Sequence, residues 1–248
     1  MRDKANYLQI GSGSGRRRFL RSTAAVTALG LAGDSIFTRS ARADALTRAQ
    51  RDTMTPDQII EVMKDGNARF RRGERKNRDY LREQQASAKG QYPAAVLLSC
   101  IDSRAPAEVI MDLGIGDVFN CRVAGNVQNK DILGSMEFAC KVAGAKLVLV
   151  MGHTACGAVK GAIDSAQLGN LTGLLDKIKP AVKATTYAGE RSASNYSFVD
   201  AVARKNVEIT MANIRKDSPV LAEMEANGSI KITGSMYNLE TGAVEFFS

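Results

Sequence analysis

Three strand-like runs, each separated from the next by a helical segment, limit the folds open to this chain more than any other feature. Residues 94–99 and 147–151 are almost wholly apolar, and residues 118–123 form a more mixed run. Continuous apolar runs of this length are typical of strands buried on both faces. Because helical segments lie between the strands, the pattern predicts an α/β fold with a mostly parallel sheet flanked by helices.

The remaining segments extend this pattern toward both ends of the chain. Thr55 and Pro56 favour the start of an amphipathic helix over residues 55–70. A polar, charged stretch follows from residue 71 to residue 91. Residues 230–236 and 243–247 predict a hairpin at the sheet edge, which turns near Gly242. Further helices are expected over residues 105–113, 131–143 with Asp131 as cap, 171–183 and 198–216.

Two cysteines and the single histidine of the chain follow two of these strands. Cys100 comes directly after the first apolar run, and His153 and Cys156 follow the third. Because ligands in parallel sheets gather outside the carboxyl ends of the strands, these side chains are expected to converge. Two thiolates and one imidazole suit zinc and leave a fourth position open for a water. The residues therefore predict a catalytic zinc site, with one Zn²⁺ per chain.

The first 43 residues are typical of a targeting segment. Arg16-Arg17-Arg18 resembles a twin-arginine signal, a mildly apolar stretch follows over residues 22–37, and small residues precede Asp44. A membrane anchor is the alternative, but the stretch is shorter than the ~20 apolar residues of a spanning helix. We expect a signal peptide over residues 1–43, a single catalytic domain over residues 44–248, export in the folded state to the periplasm and no stable membrane anchor.

The charge balance argues against a nucleic-acid partner. The whole chain has a net charge of +8, but residues 1–43 hold eight of the 34 Lys and Arg and two of the 26 Asp and Glu, so the remainder is close to +2. A nearly balanced surface has no electrostatic footprint for nucleic acid. The basic residues between Arg69 and Arg78 are expected to be a solvated helix end and loop rather than a binding stripe.

Cys121 and Cys140 complete the cysteine set. A disulfide between them is possible in an oxidising compartment. Free thiols are the favoured alternative, because an unpaired cysteine packs as a small apolar side chain. Export after folding would also allow zinc to occupy Cys100 and Cys156 before they meet an oxidant.

The chain resembles the beta-class carbonic anhydrases from about Thr55 to its C-terminus. The family's signature is Cys-x-Asp-x-Arg followed some fifty residues later by His-x-x-Cys-Gly. The residues that carry the resemblance are Cys100, Asp102, Arg104, His153, Cys156 and Gly157, together with residues 122–126 and 66–70. The resemblance implies a zinc enzyme that hydrates carbon dioxide to bicarbonate and a proton. Hydrolysis of carbon disulfide or carbonyl sulfide, and a non-catalytic zinc- or bicarbonate-binding protein, are the alternatives.

Asp102 and Arg104 are the expected catalytic residues beside the metal. A carboxylate two residues from a ligand can orient the attacking water, and the guanidinium fork can hold that carboxylate. An ordinary surface ion pair is the alternative. Some family members instead turn this aspartate onto zinc and carry a tryptophan at the position of Leu97 here. The sequence therefore predicts an open site with Asp102 held by Arg104.

The resemblance also implies substrate-binding roles for Gln91, Phe119 and Gly157. Phe119 could instead be plain sheet packing, and Gly157 a simple turn residue. The family's pocket tyrosine is Phe138 here, which removes a hydroxyl from the pocket. By the same resemblance, the protein is expected to be a homodimer or homotetramer in which Gln91 and Phe119 line a pocket shared between subunits.

Overall fold

The computed structural model describes residues 45–247, so the signal peptide predicted at residues 1–43 lies outside the described part of the chain. Five strands are present: β1 (Ala95–Ser99), β2 (Val118–Arg122), β3 (Leu147–His153), β4 (Lys231–Tyr237) and β5 (Val244–Phe246). The α-helices within this range are α1 (Arg48–Thr53), α2 (Pro56–Arg72), α3 (Tyr80–Ser87), α4 (Ala107–Ile110), α5 (Lys130–Glu137), α6 (Gly157–Ile163), α7 (Gly169–Asp176), α8 (Lys179–Ala184), α9 (Tyr196–Asp217) and α10 (Pro219–Ala226).

The strands form one sheet in the order β2-β1-β3-β4-β5. The first four strands are parallel, and β5 pairs antiparallel with β4. The predicted α/β fold is therefore confirmed, and β4 and β5 form the predicted hairpin. Of the two hairpin strands only β5 lies at the edge of the sheet, because β4 is also paired with β3 along seven residues.

The sheet is buried on both faces, as the apolar runs predict. Val96 and Leu98 of β1 point to the face packed by helices α5 to α10, whereas Ala95 and Leu97 point to the face packed by α2 and α4. All five residues of β1 and all seven of β3 are buried. Burial of these side chains on both sides fixes the register of the two central strands, whose carboxyl ends carry the predicted ligands.

The N-terminal helix begins where the sequence predicts. Thr55 caps α2 and accepts a hydrogen bond from the Gln58 N–H, while the Gln58 side chain accepts one from the Thr55 N–H. This reciprocal capping satisfies two of the donors that a helix start leaves unpaired.

Other helices differ from the sequence-based expectation. The helix expected over residues 171–183 is broken into α7 and α8, because Pro180 cannot donate a backbone hydrogen bond to the preceding turn. The helix expected over residues 131–143 is capped by Asn129 rather than Asp131, and it ends in a π-helical turn over Phe138–Val142. The helix expected over residues 105–113 shortens to α4. Helices α1, α3, α6 and α10 lie in segments for which no helix was predicted.

The basic cluster near the end of α2 is not a solvated surface throughout. Arg69 Nε lies 2.7 Å from Asp112 Oδ2, and Arg78 Nη1 lies 2.9 Å from Glu83 Oε1. The side chains of Asp112 and Glu83 are fully buried, and that of Arg78 is nearly so. The expectation of a solvated cluster is therefore wrong for these arginines, which neutralise buried carboxylates.

The two cysteines outside the predicted metal site are unpaired. Cys121 and Cys140 are free thiols, as the sequence favoured, although Cys121 is only half-buried. Between residues 45 and 247 the structure contains no helix with both the length and the apolar character needed to cross a lipid bilayer.

Candidate metal centre

The predicted metal ligands meet at the carboxyl end of the central strands. Cys100 follows β1, His153 is the last residue of β3, and Cys156 precedes the first turn of α6. Since β1 and β3 are adjacent and parallel, with Ser99 paired to Met151, their ends bring the three side chains together. Each of them is at most 5% exposed.

The ligand atoms of Cys100, His153 and Cys156 all lie within 4.8 Å of one another. His153 Nδ1 lies 2.8 Å from the Thr154 carbonyl oxygen, so Nε2 is the nitrogen that can bind a metal. Nε2 is buried and has no hydrogen-bond partner within the described residues. An unpaired buried nitrogen is costly unless it binds something. Two sulfurs and one imidazole nitrogen around this point fit a tetrahedral metal site with one position open.

The two thiols do not titrate alike. The pKa of Cys100 is lowered to about 4, chiefly by a hydrogen bond from the Cys156 side chain. Burial opposes this shift, whereas His153 and backbone donors contribute to it. The Cys156 pKa is raised, first by its hydrogen bond to Cys100 and then by burial. The two sulfurs therefore share a proton in the metal-free protein, and Cys100 is the more acidic of the two thiols. A cation bound between the sulfurs would remove this asymmetry, because it stabilises both thiolates.

Asp102 lies beside the cluster and is held by Arg104, as the sequence predicts. Arg104 Nε and Nη2 donate to Asp102 Oδ1 and Oδ2 at 3.0 and 2.8 Å. These hydrogen bonds outweigh partial burial and lower the pKa of Asp102 to about 2. Asp102 Oδ2 lies 3.8 Å from His153 Nε2. The carboxylate is therefore ionised and fixed at the edge of the metal position.

Arg122 holds the backbone of the loop that carries Cys100 and Asp102. Its Nε donates to the Cys100 carbonyl at 2.9 Å, and its Nη2 donates to the Asp102 carbonyl at 2.6 Å. The residue ends β2, opposite Ser99 in the register of the sheet. The sequence marked residues 122–126 only through the family resemblance, since an arginine that binds backbone carbonyls leaves no pattern of its own.

Asp200 on α9 holds the loop between the other two ligands. Its Oδ1 accepts a hydrogen bond from the Ala155 N–H at 2.7 Å. Ala155 adopts a left-handed conformation with φ of +53°, which a residue with a side chain rarely adopts without such support. Asp200 was missed in the sequence because 44 residues separate it from Cys156 and no motif connects them.

Of the three predicted substrate-binding residues, Gly157 lies at this site, whereas Gln91 and Phe119 of the same chain do not. Gln91 is exposed and precedes β1, whereas Cys100 follows it, and a five-residue strand spans ~16 Å. Phe119 pairs in register with Val96 and packs edge-on against Phe138, with ring centroids 6.2 Å apart. Gly157 begins α6 beside Cys156, and a Cβ added there would meet nothing within 4 Å.

Comparison with known proteins gives consistent matches. A family model described as carbonic anhydrase matches residues 95–244. Carbonic anhydrase 2 of Mycobacterium tuberculosis is 36% identical over 188 residues, which cover 73% of this chain and 88% of that protein. The solved structure of a Coccomyxa beta-carbonic anhydrase in complex with acetazolamide has a TM-score of 0.60 at 26% identity, covering 66% of this chain and 75% of that chain.

A structure from Sordaria macrospora, described among two tetrameric beta-carbonic anhydrases, has a TM-score of 0.57 at 24% identity. It covers 65% of this chain and 83% of that chain, and the likeness shows a shared fold. The sequence matches and the Cys100, His153 and Cys156 cluster lead to the same assignment. The chain belongs to the beta-class carbonic anhydrase family.

Proposed function

We propose that this protein is a zinc carbonic anhydrase, which converts carbon dioxide and water to bicarbonate and a proton. The observation that carries the proposal is the open cluster of Cys100, His153 and Cys156 beside an arginine-held carboxylate. When bound, zinc would supply the polarisation that makes a water nucleophilic near neutral pH. The residues fit this metal, since they offer two soft sulfurs and one nitrogen and leave a fourth position free.

Asp102 and Arg104 would orient the attacking water. Asp102 Oδ2 would accept a hydrogen bond from the attacking water and aim its lone pair at the carbon of the substrate. Arg104 occupies both carboxylate oxygens and keeps Asp102 ionised, so this side chain stays an acceptor. Carbon dioxide is small and uncharged, so the site needs no charged side chain to bind it.

Stopped-flow measurement of carbon dioxide hydration by the zinc-loaded protein tests the proposal. We expect activity that is lost, together with bound zinc, in Cys100→Ala. Cys140→Ala is the matched control, because Cys140 is also buried and free but is not part of the metal cluster. This variant should keep both zinc and activity. An inactive zinc-loaded parent, or one that hydrolyses carbonyl sulfide and leaves carbon dioxide unchanged, would contradict the assignment.

We also propose that the active assembly is a homodimer or homotetramer. Gln91 and Phe119 lie toward the amino ends of β1 and β2, away from the ligands of their own chain. A second copy is therefore the source that would supply their side chains to a substrate pocket. Sedimentation velocity would measure the assembly, and an active monomer would contradict the proposal.

Export to the periplasm remains a proposal that rests on the sequence of residues 1–43. The arginines at positions 16–18, the apolar stretch and the small residues before Asp44 support it. Replacing Arg17 and Arg18 with lysine should leave the precursor in the cytoplasm. Cell fractionation with detection of the C-terminal region would measure this, and unchanged export would contradict a twin-arginine route.

A further inference from the structure

The Cys100 sulfur receives a backbone hydrogen bond from a loop outside the metal motif. The Gly125 N–H donates to Cys100 Sγ at 3.3 Å, and both residues are buried. A hydrogen bond to a thiolate is charge-assisted and draws electron density from the sulfur. Such bonds fix the orientation of a metal ligand and adjust how much charge it donates. The position of the Gly125 peptide is therefore part of the metal centre.

Gly125 can present its N–H in this direction only because it lacks a side chain. Its φ is +67°, and an added Cβ would lie 2.5 Å from Ile178 Cδ1. Glycine is the residue that adopts this conformation at little cost. The same freedom means that the glycine does not hold its own peptide in place, so another group must do so.

That group is Asn206, in the middle of α9. Its Nδ2 donates to the Gly125 carbonyl at 2.7 Å, and the residue is only 1% exposed. Helix α9 packs against β3, which carries His153, and against the short 3₁₀ turn over Ala124–Asn126. One buried amide thus connects the rigid helix to Gly125: it holds the carbonyl on one side of the Gly125 Cα, and the N–H on the other side reaches the ligand sulfur.

We propose that Asn206 is a positioning residue, which orients the Gly125 N–H toward Cys100 Sγ and thereby limits how strongly this thiolate donates charge to the metal. The proposal rests on zinc binding in the proposed function. Two thiolates would otherwise neutralise much of the charge that a catalytic metal needs. A hydrogen bond on one of them offsets this effect without changing the ligand set.

Loss of the Asn206 amide should reach the sulfur through the backbone of Gly125. Without its donor, the buried Gly125 carbonyl is unpaired, and a shift of this glycine backbone toward another partner also turns the N–H on the other side of its Cα. The N–H then leaves Cys100, whose sulfur becomes a stronger donor with a less defined orientation. Removal of groups that orient metal ligands typically lowers metal affinity about 10- to 100-fold.

The test compares Asn206→Leu, which has a similar volume and no amide, with the unmodified protein. In the cobalt-substituted form, the sulfur-to-cobalt charge-transfer band should move to longer wavelength in the variant. In the ¹¹³Cd-loaded, ¹⁵N-labelled protein, scalar coupling between cadmium and the Gly125 amide proton should be present in the parent and absent in Asn206→Leu. Zinc affinity, measured by competition with a chelator, should fall about 10- to 100-fold.

Thr210→Val is the matched control, because Thr210 is a buried polar residue one turn further along α9. It should leave the band and the coupling unchanged. If Asn206→Leu does not fold, Asn206→Ser offers a smaller polar replacement, with the same spectral shift expected. A folded variant with an unshifted band and a retained coupling would overturn the proposal. These spectra do not depend on catalysis, so a failure of carbon dioxide hydration would be recognised separately.

Discussion

At the scale of single residues, the proposed function depends most directly on the Asp102–Arg104 pair. The guanidinium fork satisfies both carboxylate oxygens, and the Arg104 N–H also donates to Asp102 Oδ1 at 2.9 Å. The Asp102 side chain is 14% exposed, whereas that of Arg104 is 58% exposed. Arg104 therefore holds the Asp102 carboxylate from the exposed edge of the site, and the carboxylate faces the metal position.

We predict that Asp102→Asn lowers kcat/KM for carbon dioxide about 10- to 100-fold while zinc stays bound. The amide keeps the shape of the carboxylate, but its NH₂ group faces the donors of Arg104 and cannot accept from them. Stopped-flow kinetics and metal analysis of the purified variant would measure both quantities.

Arg104→Lys is the companion variant, because lysine offers a point charge in place of the two-armed fork. It should lose less activity than Asp102→Asn, since the carboxylate remains. A fully zinc-loaded Asp102→Asn variant with unchanged kcat/KM would show that Asp102 is only a surface ion-pair partner.

The sequence identifies site residues that lie close to a ligand along the chain, but not those that contact the site from a distant segment. Asp102 and Arg104 are found because they lie two and four residues after a ligand. Asp200 and Asn206 reach the two ligand loops across 45 and 81 residues, by bonds to backbone groups. A hydrogen bond to a peptide group imposes no sequence on its partner, so no pattern in a single sequence reveals it.

At the scale of helices and strands, the sequence predicts best those elements whose burial is uniform. Both central strands are buried on both faces, so their residues are apolar except near the carboxyl ends, where Ser99 and His153 lie. Helix α2 has a clear start, because Thr55 and Pro56 both favour one. The missed helices are short, and their ends are fixed by packing against the rest of the chain. Helix formation in such short segments depends on tertiary contacts more than on propensity.

An ion pair joins three of these elements, namely α9, α10 and β4. Arg215 of α9 donates to both carboxylate oxygens of Glu225 in α10 at 2.7 and 2.8 Å, and to the Ile232 carbonyl of β4. The Ile232 N–H donates to Glu225 Oε1 at 3.0 Å. Burial alone would raise the Glu225 pKa, but these donors outweigh it and hold the pKa below its ordinary value.

We predict that Glu225→Gln lowers the free energy of unfolding by about 1 kcal/mol at neutral pH. Because the Glu225 pKa is lower in the folded than in the unfolded protein, the ionised carboxylate stabilises the fold above its unfolded pKa. This contribution is lost as the pH falls through the folded pKa. The difference between parent and variant should therefore shrink under acidic conditions.

Urea unfolding of the zinc-free proteins at neutral and acidic pH would measure this difference without interference from metal release. Glu223→Gln is the control, because it makes the same chemical change at an exposed position of α10. Its effect should stay within about 0.5 kcal/mol at either pH. A Glu225→Gln difference that does not change with pH would contradict the argument.

At the scale of the whole molecule, topology explains both what the sequence reveals and what it hides. Parallel strands place every carboxyl end at one edge, so Cys100 and His153 could be predicted to meet although 53 residues separate them. Gln91 and Phe119 do not lie at this edge, because Gln91 precedes β1 and Phe119 lies near the amino end of β2. Their proposed contribution to a substrate pocket would depend on how copies of the chain associate, and surface complementarity leaves no periodic pattern in a sequence.

Turnover by the whole molecule also requires that the proton released in hydration reach the solvent. Imidazole is the usual carrier near neutral pH, but the chain contains one histidine, and it lies in the metal cluster. The pKa of Asp102, about 2, is too low for this task, and that of Cys140, raised to about 12 by burial, is too high. With its one histidine in the metal cluster, the protein is expected to pass the proton to a carrier in solution.

We predict that kcat rises with the concentration of an imidazole-type buffer at fixed pH and ionic strength, whereas kcat/KM for carbon dioxide stays constant. Proton export follows bicarbonate formation, so it limits kcat and does not enter the steps that kcat/KM reports. Stopped-flow assays over increasing buffer concentration, with a neutral salt holding the ionic strength, would separate the two constants. A kcat independent of buffer concentration would contradict the prediction, because it would require a protein group that relays the proton.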